Sequence, residues 1–193
     1  MRKVIIFLVI LGIFAVGVYF VVSGRAKTQF NLYIYPTGYD GIIEKYSDEY
    51  GVPREVICAV INTESSFEPD AVSAVGAKGL MQIMDDTNMW ICEMSGMDES
   101  ADIFEPEINI KRGTWLLSYL YRQFENWDVA FAAYNAGWGN VTKWLADERY
   151  SSDGKMLHTI PFKETRKYVE RVNTAIFGYK ELFNKQGSKE YQQ

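Results

Sequence analysis

The chain has 193 residues, room for one domain plus an attachment segment, and its 20 Lys and Arg against 25 Asp and Glu leave a net charge of −5. That mild acidic excess gives no reason to expect nucleic acid as a partner. One histidine and two cysteines argue against a His/Cys zinc site and against a Ser-His-Asp hydrolase, since His158 falls in a polar stretch with no nucleophile-elbow motif beside it.

Arg2 and Lys3 precede an uncharged run from Val4 to Val22, close to the roughly 20 residues that cross a bilayer as a helix. The run exceeds the roughly 7 to 15 apolar residues of a signal-peptide core. Val21, Ser23 and Gly24 offer only a fair cleavage site, so an uncleaved transmembrane anchor is expected ahead of a signal peptide. No cysteine near its end suggests a lipoprotein. The basic start predicts a cytoplasmic stub of residues 1–3, although Arg25 and Lys27 blunt the charge asymmetry. Residues 23–38 read as a tether, with Phe30, Leu32 and Ile34 alternating against Tyr33 and Tyr35 before Pro36.

The first helix is predicted over Tyr39 to Tyr50, with Ile42, Ile43 and Tyr46 on one side and Gly51 as its stop. A second follows with Pro53 as its first residue, and Val56, Ile57, Val60 and Ile61 mark its buried face. Glu64 comes three after Ile61 and four after Val60, so it continues that face. A buried carboxylate is costly unless partnered, and the carboxyl end of a helix disfavours negative charge further. Both effects push its pKa up, and an acid still protonated near neutrality suits general acid catalysis on a glycosidic oxygen. The alternative is a solvated Glu at a frayed helix end.

Ala71 to Ile83 is small and Gly-rich, then apolar around Gln82. Its glycines let the backbone pass close to a neighbour, and the Gln82 amide offers a donor and an acceptor suited to hydroxyls or acetamides. Alone, it reads as a tight loop leading into a short strand. Asp85 and Asp86 then precede a helix over Thr87 to Met94 that Gly96 ends. They are candidates for the second carboxylate of a two-acid glycosidase, but an N-cap and a first-turn acid already account for them. Asp70 sits in turn-like company after Pro69. No obvious second catalytic carboxylate emerges.

A long helix is expected over Ile108 to Phe124, with Gly113 marking close packing, and another from Trp127 to Tyr134 that leads into Ala136 and Gly137. A short helix over Asn140 to Ala146 carries Trp144, and Asp147 to His158 is a polar loop that either borders a groove or is mobile. The last helix is expected over Glu164 to Phe183, leaving 184–193 as a hydrophilic tail. Cys58 and Cys92 lie among apolar residues and read as buried thiols ahead of a disulfide. Five Trp and 13 Tyr lean the composition towards sugar-stacking surfaces.

Taken in order, Glu64-Ser65-Ser66-Phe67, Ala71 to Ile83 and Ala133-Tyr134-Asn135-Ala136-Gly137 resemble the lytic transglycosylase domain of the soluble-lytic-transglycosylase (SLT) type, a branch of the lysozyme-like superfamily. The resemblance runs over residues 39–183. It implies a mainly α, lysozyme-like helical domain with a minimal β element and a groove for glycan strands. The family's catalytic glutamate matches Glu64. Its substrate-binding positions fall on Ser65, Ser73, Gln82, Met84, Tyr134, Asn135, Glu164 and Tyr168, the last two within an intact Glu164-Thr165-Arg166-Lys167-Tyr168-Val169.

The implied reaction cleaves the β-1,4 bond between N-acetylmuramic acid and N-acetylglucosamine without consuming water. Glu64 acts first as acid and then as base, and the substrate acetamide takes the place of a second carboxylate. Neither metal nor organic cofactor is required. The implied partners are peptidoglycan strands and, through the N-terminal helix, the bacterial cell membrane, with the catalytic domain outside it. Two rivals stay open: a hydrolytic muramidase of the same fold, for which Asp70, Asp85 or Asp86 would activate water, and a membrane-tethered module that binds peptidoglycan without cutting.

Overall fold

The computed structural model describes residues 12–15, 18–19 and 35–190, with side chains up to 185. The chain divides into two units, Met1–Pro36 and Thr37–Gln193. Residues 12–15 and 18–19 of the first are helical and exposed. Among the described residues no helix is long and apolar enough to cross a membrane. Most of the expected span, residues 4–22, and residues 23–34 of the tether lie outside the described residues.

The second unit is built from seven helices among its described residues: α1 Asp40–Tyr50, α2 Arg54–Ser65, α3 Asp85–Ser95, α4 Pro106–Phe124, α5 Trp127–Ala136, α6 Trp138–Leu145 and α7 Lys163–Glu190. Gly51 ends α1 in the left-handed region at φ 69°, where a glycine pays no Cβ penalty. Pro53 stands at the N-cap of α2 and not inside it. Pro106 opens α4 at its first position, and Asn126 caps α5 by accepting the Val129 N–H at 3.1 Å.

Helix α2 packs along α7, α7 along α5, α5 along α4, and α4 along α1. Ile57, Val60 and Ile61 of α2 are fully enclosed, as are Ala130 and Phe131 of α5 and Val172 and Tyr179 of α7. Each large apolar side chain so buried is worth about 1.5 to 3 kcal/mol, and the rigid seat this gives α2 fixes the position of Glu64. Cys58 and Cys92 are both buried and free, and burial pushes the Cys58 thiol up to about 12.

Several boundaries differ from expectation. Met84, not an aspartate, caps α3, so that Asp85 and Asp86 both fall in its first turn. Helix α6 starts straight after Gly137, whose φ of 85° and ψ of 145° break the chain between α5 and α6 in one residue. Helix α7 runs beyond Phe183 to Glu190, through a stretch without proline and with a Glu181–Lys185 pair at 3.4 Å one turn apart. The expected short strand at Ile83 is absent. The described residues hold only isolated antiparallel bridges, Val72 to Lys78 and Lys78 to Ile83, because Gly79 at φ 73° and Gln82 at φ 48° turn the backbone out of the extended region.

Candidate active site

Glu64 is the penultimate residue of α2. Beyond it the backbone turns sharply, with Ser66 at φ 53° and Phe67 at φ 67°. Two successive non-glycine residues in the left-handed region are costly and persist only where the surroundings hold them. Ser65 supplies part of that hold. Its Oγ lies 2.8 Å from the Leu80 carbonyl and 3.2 Å from that of Ile61, tying the helix end to the Gly-rich loop.

The loop is braced from within and from below. Ser73 Oγ accepts the Ala77 N–H at 2.9 Å, and Gln82 Nε2 donates to the carbonyls of Ala71 at 3.1 Å and Gly79 at 2.9 Å. The donors of Gln82 are thus spent on the loop itself, and its Oε1 is what remains for a ligand. Beneath the loop, the fully buried Asn109 of α4 accepts the Met81 N–H at 2.7 Å and donates to the carbonyls of Lys78 and Ile103 at 3.1 and 2.9 Å. Gly79 and Gly113 permit that closeness. A Cβ on Gly79 would stand 2.8 Å from Asn109 Cγ, and one on Gly113 2.8 Å from Met81 Cβ.

Two tyrosines close over the glutamate. The Tyr134 hydroxyl donates to the Met81 carbonyl at 2.8 Å, within electrostatic reach of Glu64, and burial raises its pKa well above the ordinary value. Tyr168 of α7 is buried beside Glu64. Its hydroxyl acts on the carboxyl as a hydrogen-bond donor and pulls the Glu64 pKa down. Burial outweighs that pull and the weaker attraction of Arg171, and pushes Glu64 up to about 7. Glu64 is therefore protonated below neutrality and can give its proton up just above it.

Among the described residues no other carboxylate acts on Glu64. Asp85 is paired with Lys78 at 2.6 Å, and Asp70 is exposed. Asp86 lines a separate cleft of about 590 Å³ that Tyr134 shares. Of the remaining predicted residues, Met84 is exposed at the exit of the loop. Asn135 Oδ1 accepts the Thr165 hydroxyl at 2.8 Å, fastening α5 to the start of α7, and Glu164 is exposed beside it. The structure thus gathers Glu64, Ser65, Tyr134 and Tyr168 into one site and makes Ser73 and Gln82 the frame of its loop. It gives Asn135 and Glu164 no contact with Glu64. Among the described residues no group of three or more His, Cys, Asp or Glu is placed to hold a metal ion.

The family described as the transglycosylase SLT domain matches residues 41–157. That match covers most of the second unit and every loop element just described. The chain belongs to this SLT family. It is 37% identical over 143 residues to the soluble lytic murein transglycosylase of Escherichia coli strain K12, an alignment covering 72% of this chain and 22% of that protein. It is 32% identical over 163 residues to the membrane-bound lytic murein transglycosylase C of Pectobacterium atrosepticum, covering 72% and 46%. The chain therefore spans less than half the length of these relatives. Among solved structures it resembles an inactive mutant of the lytic transglycosylase Slt from Pseudomonas aeruginosa, with a TM-score of 0.70 and 35% identity over 78% of this chain and 25% of that one. The 70 kDa soluble lytic transglycosylase of Escherichia coli gives 0.68 and 32%, over 77% and 25%.

Within this SLT domain, sequence reasoning passed over Asn109, Arg171 and the cleft beside Tyr134. Asn109 had a signal. It falls in register with Arg112, Gly113, Leu116 and Leu120 on α4, and a small polar side chain on a buried stripe must be bonded to something. Arg171 and the cleft had none, since each depends on how separate helices meet.

Proposed function

We propose that this SLT domain is a peptidoglycan lytic transglycosylase that cleaves the β-1,4 bond between N-acetylmuramic acid and N-acetylglucosamine. The observation that carries the reading is Glu64, a half-buried carboxyl at the end of α2 whose pKa desolvation pushes up to about 7. Protonated, it delivers its proton to the glycosidic oxygen as the bond to the anomeric carbon breaks. The substrate acetamide stabilises the positive charge developing at that carbon. Once ionised, Glu64 withdraws the proton of the muramic acid 6-hydroxyl, whose oxygen attacks the anomeric carbon and closes a 1,6-anhydro ring. The proton balance closes on one residue, and no water is consumed.

The surroundings support both halves of that cycle. Burial favours the acid form, while Tyr168 and Arg171 favour the carboxylate, so neither state is prohibitively costly. The bond to the Met81 carbonyl that fixes Tyr134 supports a role for it in orienting the acetamide. Ser65, Ser73, Gln82, Met84, Asn135, Glu164 and Tyr168 complete the proposed substrate contacts, directly or by shaping the loop. The uncharged run Val4–Val22 supports a single-pass anchor that keeps the domain outside the bacterial cell membrane, and a relative of this chain is named as membrane-bound.

The test is to incubate the chain with purified peptidoglycan and weigh the released muropeptides, with Glu64→Gln in parallel. Products one water lighter than reducing ends, absent from the variant, are expected. Hydrated reducing ends would make it a muramidase, and a Glu64→Gln protein with near-normal turnover would end the assignment.

A further inference from the structure

We propose that the recess between the end of α3 and the first turns of α4 binds the zwitterionic head of an α-amino acid, its carboxylate on Arg112 and its ammonium on Asp98.

Met97, Asp98, Ala101, Ile108, Lys111 and Arg112 line this recess, whose volume is about 140 Å³. It shares no lining residue with the cleft beside Tyr134. The volume is several times the roughly 30 Å³ share of one water. It falls short of the roughly 300 Å³ at which sites for drug-sized molecules begin, so the occupant has only a few heavy atoms.

Arg112 is the reason to expect an acid there. Only 1% of its surface is exposed, and among the described residues it forms no ion pair. Its partners are neutral: Nη1 donates to Asn88 Oδ1 at 2.9 Å and to the Ala101 carbonyl at 3.3 Å, and Nη2 donates to the Asp98 carbonyl. A guanidinium carries five N–H donors, so one Nη2–H and the Nε–H are left over. Those two nitrogens share an edge of the group, the fork that grips a carboxylate through two parallel bonds. A buried cation held only by neutral oxygens is costly, and an anion on that edge offsets the cost. Lys111 brings a second positive charge to the lining, its ammonium 6.0 Å from the centre of the Tyr46 ring.

Asp98 selects among acids. Its Oδ1 accepts the N–H and the hydroxyl of Ser100 at 2.9 and 2.7 Å, which leaves Oδ2 as its spare acceptor. The Arg112 guanidinium acts on this carboxyl electrostatically, so the two opposite charges are neighbours without forming a salt bridge. Acetate would meet repulsion from Asp98, and a simple amine would meet it from Arg112 and Lys111. A molecule with both charges on one carbon satisfies the whole lining, and Met97, Ala101 and Ile108 give a short alkyl side chain an apolar wall. Two sources carry that chemistry: a free small amino acid, and a peptidoglycan side chain ending in a diamino acid. Arg112 stands one turn beyond Asn109 on α4 and bonds Asn88 of α3, so an occupant fastens the α3–α4 joint beside the residue that supports the catalytic loop.

The full chain is titrated with L-alanine, D-alanine, acetate, ethylamine and a muramyl tripeptide ending in a diamino acid, following the Arg112 Nε–H and Ala101 amide resonances. Alanine or the tripeptide is expected to move both, with an affinity at least about tenfold above acetate and ethylamine. Asp98→Asn alters an exposed side chain and keeps an acceptor for Ser100. It should weaken the responding zwitterion about tenfold and leave acetate equal or tighter. A response to free alanine assigns the recess to an amino acid in solution, and a response to the tripeptide alone assigns it to the peptidoglycan side chain; both uphold the proposal. Resonances unmoved by alanine and tripeptide overturn it. So does acetate binding as tightly as alanine with no effect of Asp98→Asn, which would leave a plain anion site.

Discussion

Asn109 accepts the Met81 N–H at 2.7 Å, and the carbonyl of the same Met81 takes the Tyr134 hydroxyl at 2.8 Å. A buried amide on α4 therefore sets the height of the loop on which Tyr134 closes over Glu64. Asn109→Ala leaves the Met81 N–H and two carbonyls without their partner, at about 1 to 3 kcal/mol for each group left unsatisfied. Chemical denaturation should register that loss. At temperatures where the variant is fully folded, kcat should still fall, because Tyr134 loses the Met81 carbonyl position that holds it beside Glu64. Asn109→Asp keeps the acceptor for Met81 and should recover part of kcat. Normal kcat in folded Asn109→Ala would reduce Asn109 to a purely structural residue.

The raised pKa of Glu64 has a stability consequence whose sign is fixed. Below about 4.5, its ordinary value, the carboxyl is protonated both folded and unfolded. As the pH rises towards about 7 the unfolded chain ionises first, and stability is lost until the folded pKa is passed. The difference corresponds to roughly 3 kcal/mol as an upper bound. Glu64→Gln carries no such penalty. It should match the parent near pH 4 and exceed it by up to about 3 kcal/mol near pH 8, measured by urea unfolding at both pH values. A stability difference that does not change with pH would place Glu64 in water.

Gly113→Ala tests the same loop from underneath. A new Cβ there comes within 2.8 Å of Met81 Cβ and Cε, and overpacking of this kind costs about 1 to 3 kcal/mol. The helix-propensity gain of alanine over glycine returns only about 1 kcal/mol. A net loss of stability and a lower kcat are expected together, since the shifted residue is the one that Tyr134 bonds. An increase in melting temperature with unchanged kcat would show that Met81 moves aside without moving its carbonyl.

The parts legible in the sequence are those governed by local pattern. Val56, Ile57, Val60 and Ile61 mark the buried face of α2, and Glu64 on the same stripe implies a desolvated acid. Gly113 likewise announced a close approach. What escaped depends on groups far apart in the chain. The spending of the Gln82 amide on Ala71 and Gly79 requires the loop's left-handed turn, which the apolar run around Ile83 disguised as a strand. The end of α7 escaped for another reason: polar residues after Phe183 satisfy helical spacing as well as a tail, and composition alone does not choose.

Tyr168 carries the sharpest test of how Glu64 alternates between acid and base. Its hydroxyl is buried beside the carboxyl, and its effect on Glu64 is to lower the pKa. A donor so placed does little for the protonated acid and gains a bond when the carboxylate forms. Tyr168→Phe removes that preference, so the Glu64 pKa rises and the basic limb of kcat/KM moves from about 7 to higher pH, by a few tenths of a unit or more. The second half-reaction, which needs the carboxylate, should slow, and kcat should fall more than KM changes. A basic limb that stays in place, or moves to lower pH, would mean that Tyr168 only fills space between α2 and α7.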